Sequence, residues 1–344
     1  MSCVGEKKRL LSGMQPTGNG LLHLGNYEGA LKPWIRLQDS YEMFCFIADW
    51  HALTTLAGTT QSIAEASRNV ALDYLSAGLD PDKCAIFRQS TVMQHAELSL
   101  LLGMLTPVSW LERVPTYKEK RELVAEHEHE SGPSYGLLGY PALQAADILI
   151  YRAHAVPVGK DQAAHLELTR EIARRFNHLY DTDLFPEPQA VISEDTGVLS
   201  GLDADDNGKL RKMSKSYGNT IQLTDSADTV AAKIKNAFTT PTRIRMADPG
   251  IPEGCAVCQL RRLYDPDGYL VQWEGCRGST RGCVQSKRET AEIVNAMLDP
   301  IRERRALYAD NPDEVERILE RGAEKARSFA EETMRQVRQI MRLV

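Results

Sequence analysis

Four short apolar runs alternate with amphipathic stretches in the first two-thirds of the chain, and this alternation constrains the fold more than any other feature. The runs span residues 8–13, 42–49, 84–90 and 153–159. A helical pattern over residues 60–78 lies between two of them and closes on glycine, as helices often do. Strands alternating with helices predict a parallel sheet with right-handed crossovers. We therefore expect an α/β fold that binds its ligands beyond the carboxyl ends of the strands.

The last third of the chain has a different pattern. After about residue 224 the apolar runs stop, and residues 226–238, 287–302 and 313–343 show helical periodicity. Residues 194–212 have turn composition and predict a mobile loop. A chain of 344 residues has room for two domains of about 150 residues each. We predict a parallel-sheet domain over residues 1–224 and an all-helical domain over residues 225–344, with the last helix free to pack back on the first domain.

Composition excludes several classes of protein. Charged residues make up 26% of the chain and hydrophobic residues 42%, which are ordinary globular proportions. No apolar run approaches the roughly 18 residues of a membrane span, and the N-terminus lacks the pattern of a secretory signal. The net charge of −6 argues against nonspecific coating of nucleic acid but permits a local basic patch. We expect a cytoplasmic protein that binds neither membrane nor DNA.

A glycine-rich segment follows the first predicted strand. Residues 13–18 read Gly-Met-Gln-Pro-Thr-Gly, and residues 23–26 read His-Leu-Gly-Asn at the start of a helical pattern. Such a turn leaves backbone N–H groups free to meet phosphate, and a helix N-terminus favours an anion. His23 is able to donate to a phosphate oxygen. Gly25 lacks a Cβ and allows a flat base to approach the backbone.

A second motif lies late in the α/β region, directly after the predicted mobile loop. Residues 212–216 read Lys-Met-Ser-Lys-Ser. Two lysines on a mobile loop suit a pyrophosphate leaving group, because they meet the charge that develops in the transition state and withdraw afterwards. A solvated basic loop has a similar composition, but this string after a His-x-Gly-Asn motif is specific.

The two motifs resemble the signatures of the class I aminoacyl-tRNA synthetases, and residues 13–18 resemble the start of the tryptophanyl members. Residues 48–55, 111–119, 140–149 and 156–170 resemble the same family. The resemblance covers nearly the whole chain and implies a Rossmann-like catalytic domain, a helical anticodon-recognition domain and a homodimer. It further implies activation of L-tryptophan with ATP and Mg²⁺, and transfer of tryptophan to tRNA(Trp).

The same resemblance implies which residues form the site. Asp147 accepts the indole N–H, and Val156 and Val158 face Leu11 across the indole pocket. Catalytic roles fall to His23, Asn26, Lys212 and Lys215. The residues implied for tryptophan are Leu11, Gln15, His51, Tyr140, Gln144, Asp147, Val156, Val158 and Gln162. Those implied for ATP are Gln15, Pro16, Thr17, Gly25, Asn26, Gly159, Lys160, Asp161, Val198, Lys212, Met213, Ser214, Lys215 and Ser216. We interpret His95, outside these motifs, as a structural histidine.

Departures from the family pattern leave alternatives open. The spacing between Gly18 and His23 and the presence of Gln144 are also typical of tyrosyl-tRNA synthetases, and Lys160 stands where the pattern has Glu. The alternatives are a tyrosyl enzyme, a synthetase-like RNA-binding protein without activity, and a nucleotidyltransferase of cofactor synthesis. The intact lysine motif argues against the last two.

Four of the seven cysteines crowd into residues 255–283. In a cytosolic chain Cys255, Cys258, Cys276 and Cys283 favour a metal site over disulfides, and four thiolates suit zinc or an iron–sulfur cluster. The spacing resembles a cluster motif of some tryptophanyl synthetases, although Ser286 stands at its last cysteine position. We favour a [4Fe–4S] cluster over zinc; four free thiols are the remaining alternative.

Overall fold

The computed structural model describes most of the chain. The described residues are 7–58, 60–118, 133–159, 163–191, 199–240, 243, 245 and 247–343. Of the predicted site residues, Lys160, Asp161, Gln162 and Val198 lie outside these ranges. Within them, no helix is long and apolar enough to cross a membrane.

The main sheet is parallel, as the alternating pattern predicts. It has five strands. They are β1 (Arg9–Met14), β2 (Glu42–Ile47), β3 (Cys84–Arg88), β4 (Ala155–Pro157) and β5 (Gln189–Val191). Their order in the sheet is β3-β2-β1-β4-β5, and every neighbouring pair is parallel. The chain moves outward from β1 to β3 and then returns to the other side of β1 with β4. The strand order therefore reverses between β1 and β4, where open α/β sheets bind their ligands.

Helices occupy much of the remaining described chain. In the first part they are α1 (Leu24–Asn26), α2 (Lys32–Leu37), α3 (Asp49–Leu56), α4 (Ile63–Ala77), α5 (Gln94–Leu105), α6 (Val108–Glu112), α7 (Tyr135–Ile150) and α8 (Ala163–Tyr180). In the last third they are α9 (Ala227–Lys235), α10 (Ala256–Tyr264), α11 (Pro266–Arg277), α12 (Cys283–Ala309) and α13 (Pro312–Ile340). A π-helical turn, Tyr27–Leu31, joins α1 to α2. The sequence did not predict α10 and α11.

The core lies on both faces of the sheet. Side chains alternate along the strands, so that Leu10 and Cys45 belong to one buried cluster, and Leu11, Phe44 and Phe46 belong to the other. Successive side chains of a strand point to opposite faces, and both faces of this sheet are covered. The apolar runs that identified the strands are thus explained by burial on two sides.

The prediction of a mobile loop over residues 194–212 is wrong for the part that the structure describes. Residues 200–212 form an antiparallel hairpin of β6 (Ser200–Ala204) and β7 (Leu210–Lys212). The turn between them is held by Asp205, whose side chain accepts from the backbone N–H groups of Asn207 and Lys209. Asp205, Asp206 and Gly208 belong to this turn, whereas Gly201 and Asp203 lie in β6.

The last helix packs against the sheet. In α13, Ala323, Ala326 and Ala330 are buried in the same cluster as the strand residue Phe87. Gly322 lets the helix lie close to β3, because a Cβ at that position would overlap the Ile86 carbonyl. Arg305, near the end of α12, also pairs with the buried Asp73 of α4 at 2.7 Å. The last two helices therefore make extensive contact with the first part of the chain, and the domain boundary at residue 224 stays a prediction.

Candidate active site

A cavity of about 390 Å³ opens at the carboxyl ends of β1 and β4. Eight of the nine residues predicted for tryptophan line it, and the ninth, Gln162, is outside the described chain. These eight are Leu11, Gln15, His51, Tyr140, Gln144, Asp147, Val156 and Val158. Apolar side chains such as Phe46 and Ile148 complete much of the wall. The structure thus brings together, at the reversal of strand order, residues that lie far apart in the sequence.

A buried carboxylate stands in the wall of this cavity. Asp147, on α7, is 1% exposed and accepts three hydrogen bonds from side chains. His51 Nε2 is 2.7 Å from Oδ2, while Gln89 Nε2 at 2.7 Å and His95 Nδ1 at 2.6 Å both donate to Oδ1. Burial by itself would raise the pKa of Asp147, but the two histidines outweigh it and lower that pKa. The carboxylate is therefore ionised at neutral pH and is a strong acceptor.

A second polar group lies in the cavity wall, two helical turns before Asp147 on the same helix. The hydroxyl of Tyr140 is 2.5 Å from Thr116 Oγ1 and 2.9 Å from His165 Nε2. All three side chains line the cavity. Tyr140 was predicted to hold the ammonium or carboxylate of the amino acid. Thr116 was not predicted individually, although it lies inside a segment, residues 111–119, that matches the family.

His23 is held in one orientation at the start of α1. Its Nδ1 accepts from the backbone N–H of Asn26 at 3.3 Å, and the Asn26 side chain accepts from the backbone N–H of His23 at 3.1 Å. Burial, then the charges of Lys215 and Lys212, lower the pKa of His23 to about 4. The ring is therefore neutral at pH 7, and because Nδ1 is an acceptor, its proton sits on Nε2. That N–H is available to a phosphate oxygen.

Gly25 also has a local structural role. A Cβ on Gly25 would lie 3.0 Å from two atoms of the His23 ring. The missing side chain therefore makes room for the histidine itself.

The two motifs predicted to bind phosphate meet in the structure. Lys215 Nζ donates to the backbone carbonyl of Thr17 at 3.1 Å, so the lysine loop contacts the glycine-rich turn after β1. Asn219 shapes the lysine loop, because its side chain accepts from Ser214 N–H at 2.8 Å and donates to the Lys212 carbonyl at 3.1 Å. Met213 is buried and Lys212 and Ser216 are exposed. Asn219 lies just after the motif and was not predicted.

Gln15 and Gly159 link the two halves of the site. Both were predicted for ATP, and both line the same cavity as the tryptophan residues. Pro16 is buried in the turn, whereas Thr17 is exposed. Two of the residues predicted for ATP therefore share one cavity with the residues predicted for tryptophan.

The four clustered cysteines converge on a separate small cavity of about 30 Å³. Arg243 Nη1 lies 3.1 Å from Cys276 Sγ, and Gln272 Nε2 lies 3.5 Å from Cys258 Sγ. Cys255 forms a hydrogen bond with the Cys258 thiol. This bond lowers the pKa of Cys255 to about 6, although burial acts to raise it. The donor chemistry suits a thiophilic metal. However, within the described ranges no three His, Cys, Asp or Glu side chains are arranged to hold a metal ion, so this arrangement does not support the predicted ligand set of Cys255, Cys258, Cys276 and Cys283.

Comparisons with known proteins identify the family of this chain. A family model described as tRNA synthetases class I (W and Y) matches residues 5–299. The tryptophan–tRNA ligase of Thermotoga maritima is 45% identical, over 98% of this chain and 99% of that protein. The Aquifex aeolicus ligase is 41% identical, over 97% and 100%. A crystal structure of the Campylobacter jejuni tryptophanyl-tRNA synthetase with ADP and tryptophan has a TM-score of 0.84 and 35% identity, covering 97% of this chain and 99% of that one. The chain belongs to the class I tRNA synthetases of the tryptophan and tyrosine family.

Proposed function

We propose that this enzyme activates L-tryptophan with ATP and transfers it to tRNA(Trp). Its relatives in Thermotoga maritima and Aquifex aeolicus are named tryptophan–tRNA ligases. The observation that carries the proposal is the cavity in which every described residue of the predicted tryptophan set stands around the buried carboxylate of Asp147. An aromatic ring system with one N–H donor fits a cavity whose wall combines apolar side chains with the buried carboxylate of Asp147. A site built around one polar atom of its substrate rejects analogues that lack it.

The first chemical step needs positioning more than acid–base catalysis. The tryptophan carboxylate is already a competent nucleophile and attacks the α-phosphorus of ATP, so that the adenylate forms and pyrophosphate leaves. No basic side chain has to remove a proton, and the rate gain comes from orientation and from stabilising the developing charge. Mg²⁺ enters as the counter-ion of ATP. In the second step a ribose hydroxyl of the tRNA attacks the acyl carbon and AMP leaves.

Each phosphate-facing side chain has a distinct part in this step. Neutral His23 offers the N–H of Nε2 as a donor and brings no charge of its own. Lys215 is held beside the glycine-rich turn by its bond to the Thr17 carbonyl, and burial lowers its pKa, opposed by Asp73. Lys212 stands exposed at the end of β7. Asn26 acts through His23, because it fixes the ring through the capping bonds.

Charging of tRNA tests the complete proposal. Purified protein with ATP, Mg²⁺ and labelled tryptophan is expected to esterify a tRNA(Trp) transcript. The same protein with tyrosine and a tRNA(Tyr) transcript is the matched control. Charging of tRNA(Tyr) would instead identify a tyrosyl enzyme, and charging of neither tRNA would leave the RNA-binding alternative.

The proposal includes a homodimer, supported by an exposed apolar face. Met93, at the N-cap of α5, is followed after seven residues by Leu100 and after four more by Met104, so the three share one face; they are 63%, 58% and 74% exposed. Val108 on α6 adds to the patch at 56%. Contiguous exposed apolar side chains mark interaction surfaces in soluble proteins. A second copy of the chain is the occupant that the family resemblance implies.

We predict that Leu100→Glu combined with Met104→Glu converts the dimer to a monomer. Two carboxylates on the same face would lose their hydration in the interface, and an unpaired buried charge is strongly unfavourable. Light scattering on the wild type and the variant measures the change in mass. Leu307→Glu, at an equally exposed apolar position on α12, should leave the mass unchanged. A wild-type protein that is monomeric at micromolar concentration contradicts this part of the proposal.

The cysteine cavity carries a separate cofactor proposal, an iron–sulfur cluster or zinc, outside the catalytic site. Cys255, Cys258, Cys276 and Cys283 line one cavity beside Lys287, and because the described residues do not arrange them as a ligand set, the proposal rests on the chemistry of the four thiols alone. No step of the reaction is assigned to it. Cys276→Ala is expected to remove the bound iron or zinc measured by elemental analysis, because it deletes one of four thiolates. Equal metal content in the wild type and the variant contradicts the metal site. The cytoplasmic location stays a prediction from the sequence.

A further inference from the structure

The two oxygens of Asp147 have different environments. Oδ1 receives two donors, Gln89 and His95, and Oδ2 receives one, His51. A carboxylate oxygen has two lone pairs. Among the donors in the described part of the chain, Oδ1 is therefore saturated, and Oδ2 keeps one acceptor position.

The position left on Oδ2 lies on the side of the cavity. His51, the donor to Oδ2, lines the cavity together with Asp147. Gln89 and His95, the donors to Oδ1, are completely buried and do not line it. The carboxylate therefore turns its saturated oxygen toward the protein interior and its partly used oxygen toward the ligand.

Gln89 contributes a hydrogen-bond donor to Asp147, and its packing does not explain why this position holds an amide. It follows β3 directly, at the carboxyl end of the sheet, and its own carbonyl oxygen Oε1 is buried with no hydrogen-bond partner within the described residues. A buried carbonyl without a partner costs free energy, so an apolar side chain would suit this position better if packing alone mattered. The bond to Asp147 is what the amide contributes.

His95 is held in one tautomer from behind. Its Nδ1 faces Asp147 Oδ1 at 2.6 Å, and its Nε2 lies 2.7 Å from the hydroxyl of Tyr151. The ionised carboxylate needs a proton on Nδ1, which makes Nε2 the acceptor of a neutral ring and Tyr151 the donor. Burial raises the pKa of Tyr151 well above its usual value, so the phenol keeps that proton.

We propose that Gln89 and His95 are positioning residues that determine specificity, because they saturate one oxygen of Asp147 and leave a single acceptor on the other for the ligand's ring N–H. Tyr151 supports them by fixing the His95 tautomer. This inference rests on the proposed activation of tryptophan and deepens it. The carboxylate of Asp147 then offers one acceptor in a fixed direction, which suits a planar ring system that carries a ring N–H at the matching place.

The test compares tryptophan with benzothienylalanine, in which sulfur replaces the ring N–H at nearly the same size. ATP–pyrophosphate exchange gives kcat/KM for each, and their ratio measures recognition of the N–H. In Gln89→Leu and His95→Ala the ratio should fall about tenfold or more relative to the wild type, since the Oδ2 acceptor loses its fixed direction. The loss should appear in the KM for tryptophan, with the KM for ATP unchanged.

Two conservative variants separate positioning from folding. His95→Asn keeps an N–H donor near the position of Nδ1 and should retain most of the discrimination. Tyr151→Phe removes only the hydroxyl that contacts His95 Nε2, and it should lower the discrimination between tryptophan and benzothienylalanine. Tyr74→Phe is the matched control, because it also deletes a buried phenol hydroxyl, one that bonds the Phe46 carbonyl at 3.3 Å; its ratio should equal that of the wild type.

The inference and the proposed function fail in different ways. A wild-type protein without tryptophan-driven exchange overturns the proposed function. A wild type that discriminates, together with folded Gln89→Leu and Tyr151→Phe variants whose ratio is unchanged, overturns the positioning role alone. Equal loss in Tyr151→Phe and Tyr74→Phe also overturns it, since that result reports general destabilisation.

Discussion

Replacement of Lys215 by alanine is expected to slow tryptophan activation by about 10²–10³-fold, the loss typical of one removed group that stabilises developing charge. Lys215 reaches across from the lysine motif to the Thr17 carbonyl, which puts its ammonium beside the turn where the phosphates would lie. The effect should fall on kcat, because the leaving pyrophosphate gains charge only as the bond breaks. Single-turnover formation of the adenylate measures it.

A lysine of the β6–β7 hairpin, which precedes the turn that holds Lys215, provides the control for this prediction. Lys209 is exposed in the turn before β7, and Lys209→Ala makes the same change in side chain and net charge. That variant should activate tryptophan at the wild-type rate. If Lys215→Ala and Lys209→Ala behave alike, the lysine motif has no specific part in the chemistry.

Replacement of Asp147 by asparagine is the second large effect that we expect. The asparagine amide has nearly the same shape as the aspartate carboxylate. Its NH₂ group donates hydrogen bonds at a position where a carboxylate oxygen accepts them. Each donor left without an acceptor costs about 1–3 kcal/mol, and three donors face this group. The kcat/KM for tryptophan should fall by about 10²-fold or more, while ATP binding measured by calorimetry should persist.

Asp73 separates loss of stability from loss of recognition. It is also completely buried, and it accepts from the backbone N–H of Leu22 at 2.7 Å and from Arg305. Asp73→Asn should lower the melting temperature without weakening tryptophan recognition, because Leu22 adjoins His23 on the phosphate side. Asp147→Asn with unchanged kcat/KM for tryptophan would refute the assignment of Asp147 to the indole.

The pH dependence of the tryptophan site follows from the direction of the Asp147 shift. Its pKa in the folded protein lies below its ordinary value, which is about 3.9 in an unfolded chain. Its ionisation therefore stabilises the fold above that value, and the contribution is lost as the pH falls through the lower folded pKa. Across the neutral range the carboxylate stays ionised, so protonation of Asp147 does not limit tryptophan binding.

Most of the sheet could be predicted because its strands are buried on both faces. Strands β1 to β4 each lie within an apolar run that the sequence displays. Strand β5 was missed because it has three residues, Gln189–Val191, and follows Pro186 and Pro188. The β6–β7 hairpin was missed because its strands are short and partly exposed, so turn residues dominate the composition of the segment.

Residues of the site also differ in how far the sequence identifies them. Residues that belong to contiguous motifs, such as His23 and Lys215, could be identified by resemblance to a family. The donors behind Asp147 could not, because Gln89 and His95 lie 58 and 52 residues from it and no spacing rule connects them. The position of Gln89 directly after a strand, at the carboxyl edge of a parallel sheet, was the one available signal.

The cysteines show the limit of spacing as evidence. Close spacing along the chain predicts that thiols come near one another, and the four do share a cavity. It does not fix the direction of each Cα–Cβ bond, which depends on the packing of α10, α11 and the start of α12. A ligand set requires directions as well as proximity.

ATP–pyrophosphate exchange measures whether this cavity activates tryptophan. Purified protein is assayed with ATP and Mg²⁺ and with tryptophan, tyrosine or phenylalanine in turn. We expect exchange with tryptophan and none above background with the other two. Exchange driven by tyrosine would contradict the assignment of Asp147 to an indole N–H, and exchange with none of the three would contradict an active synthetase.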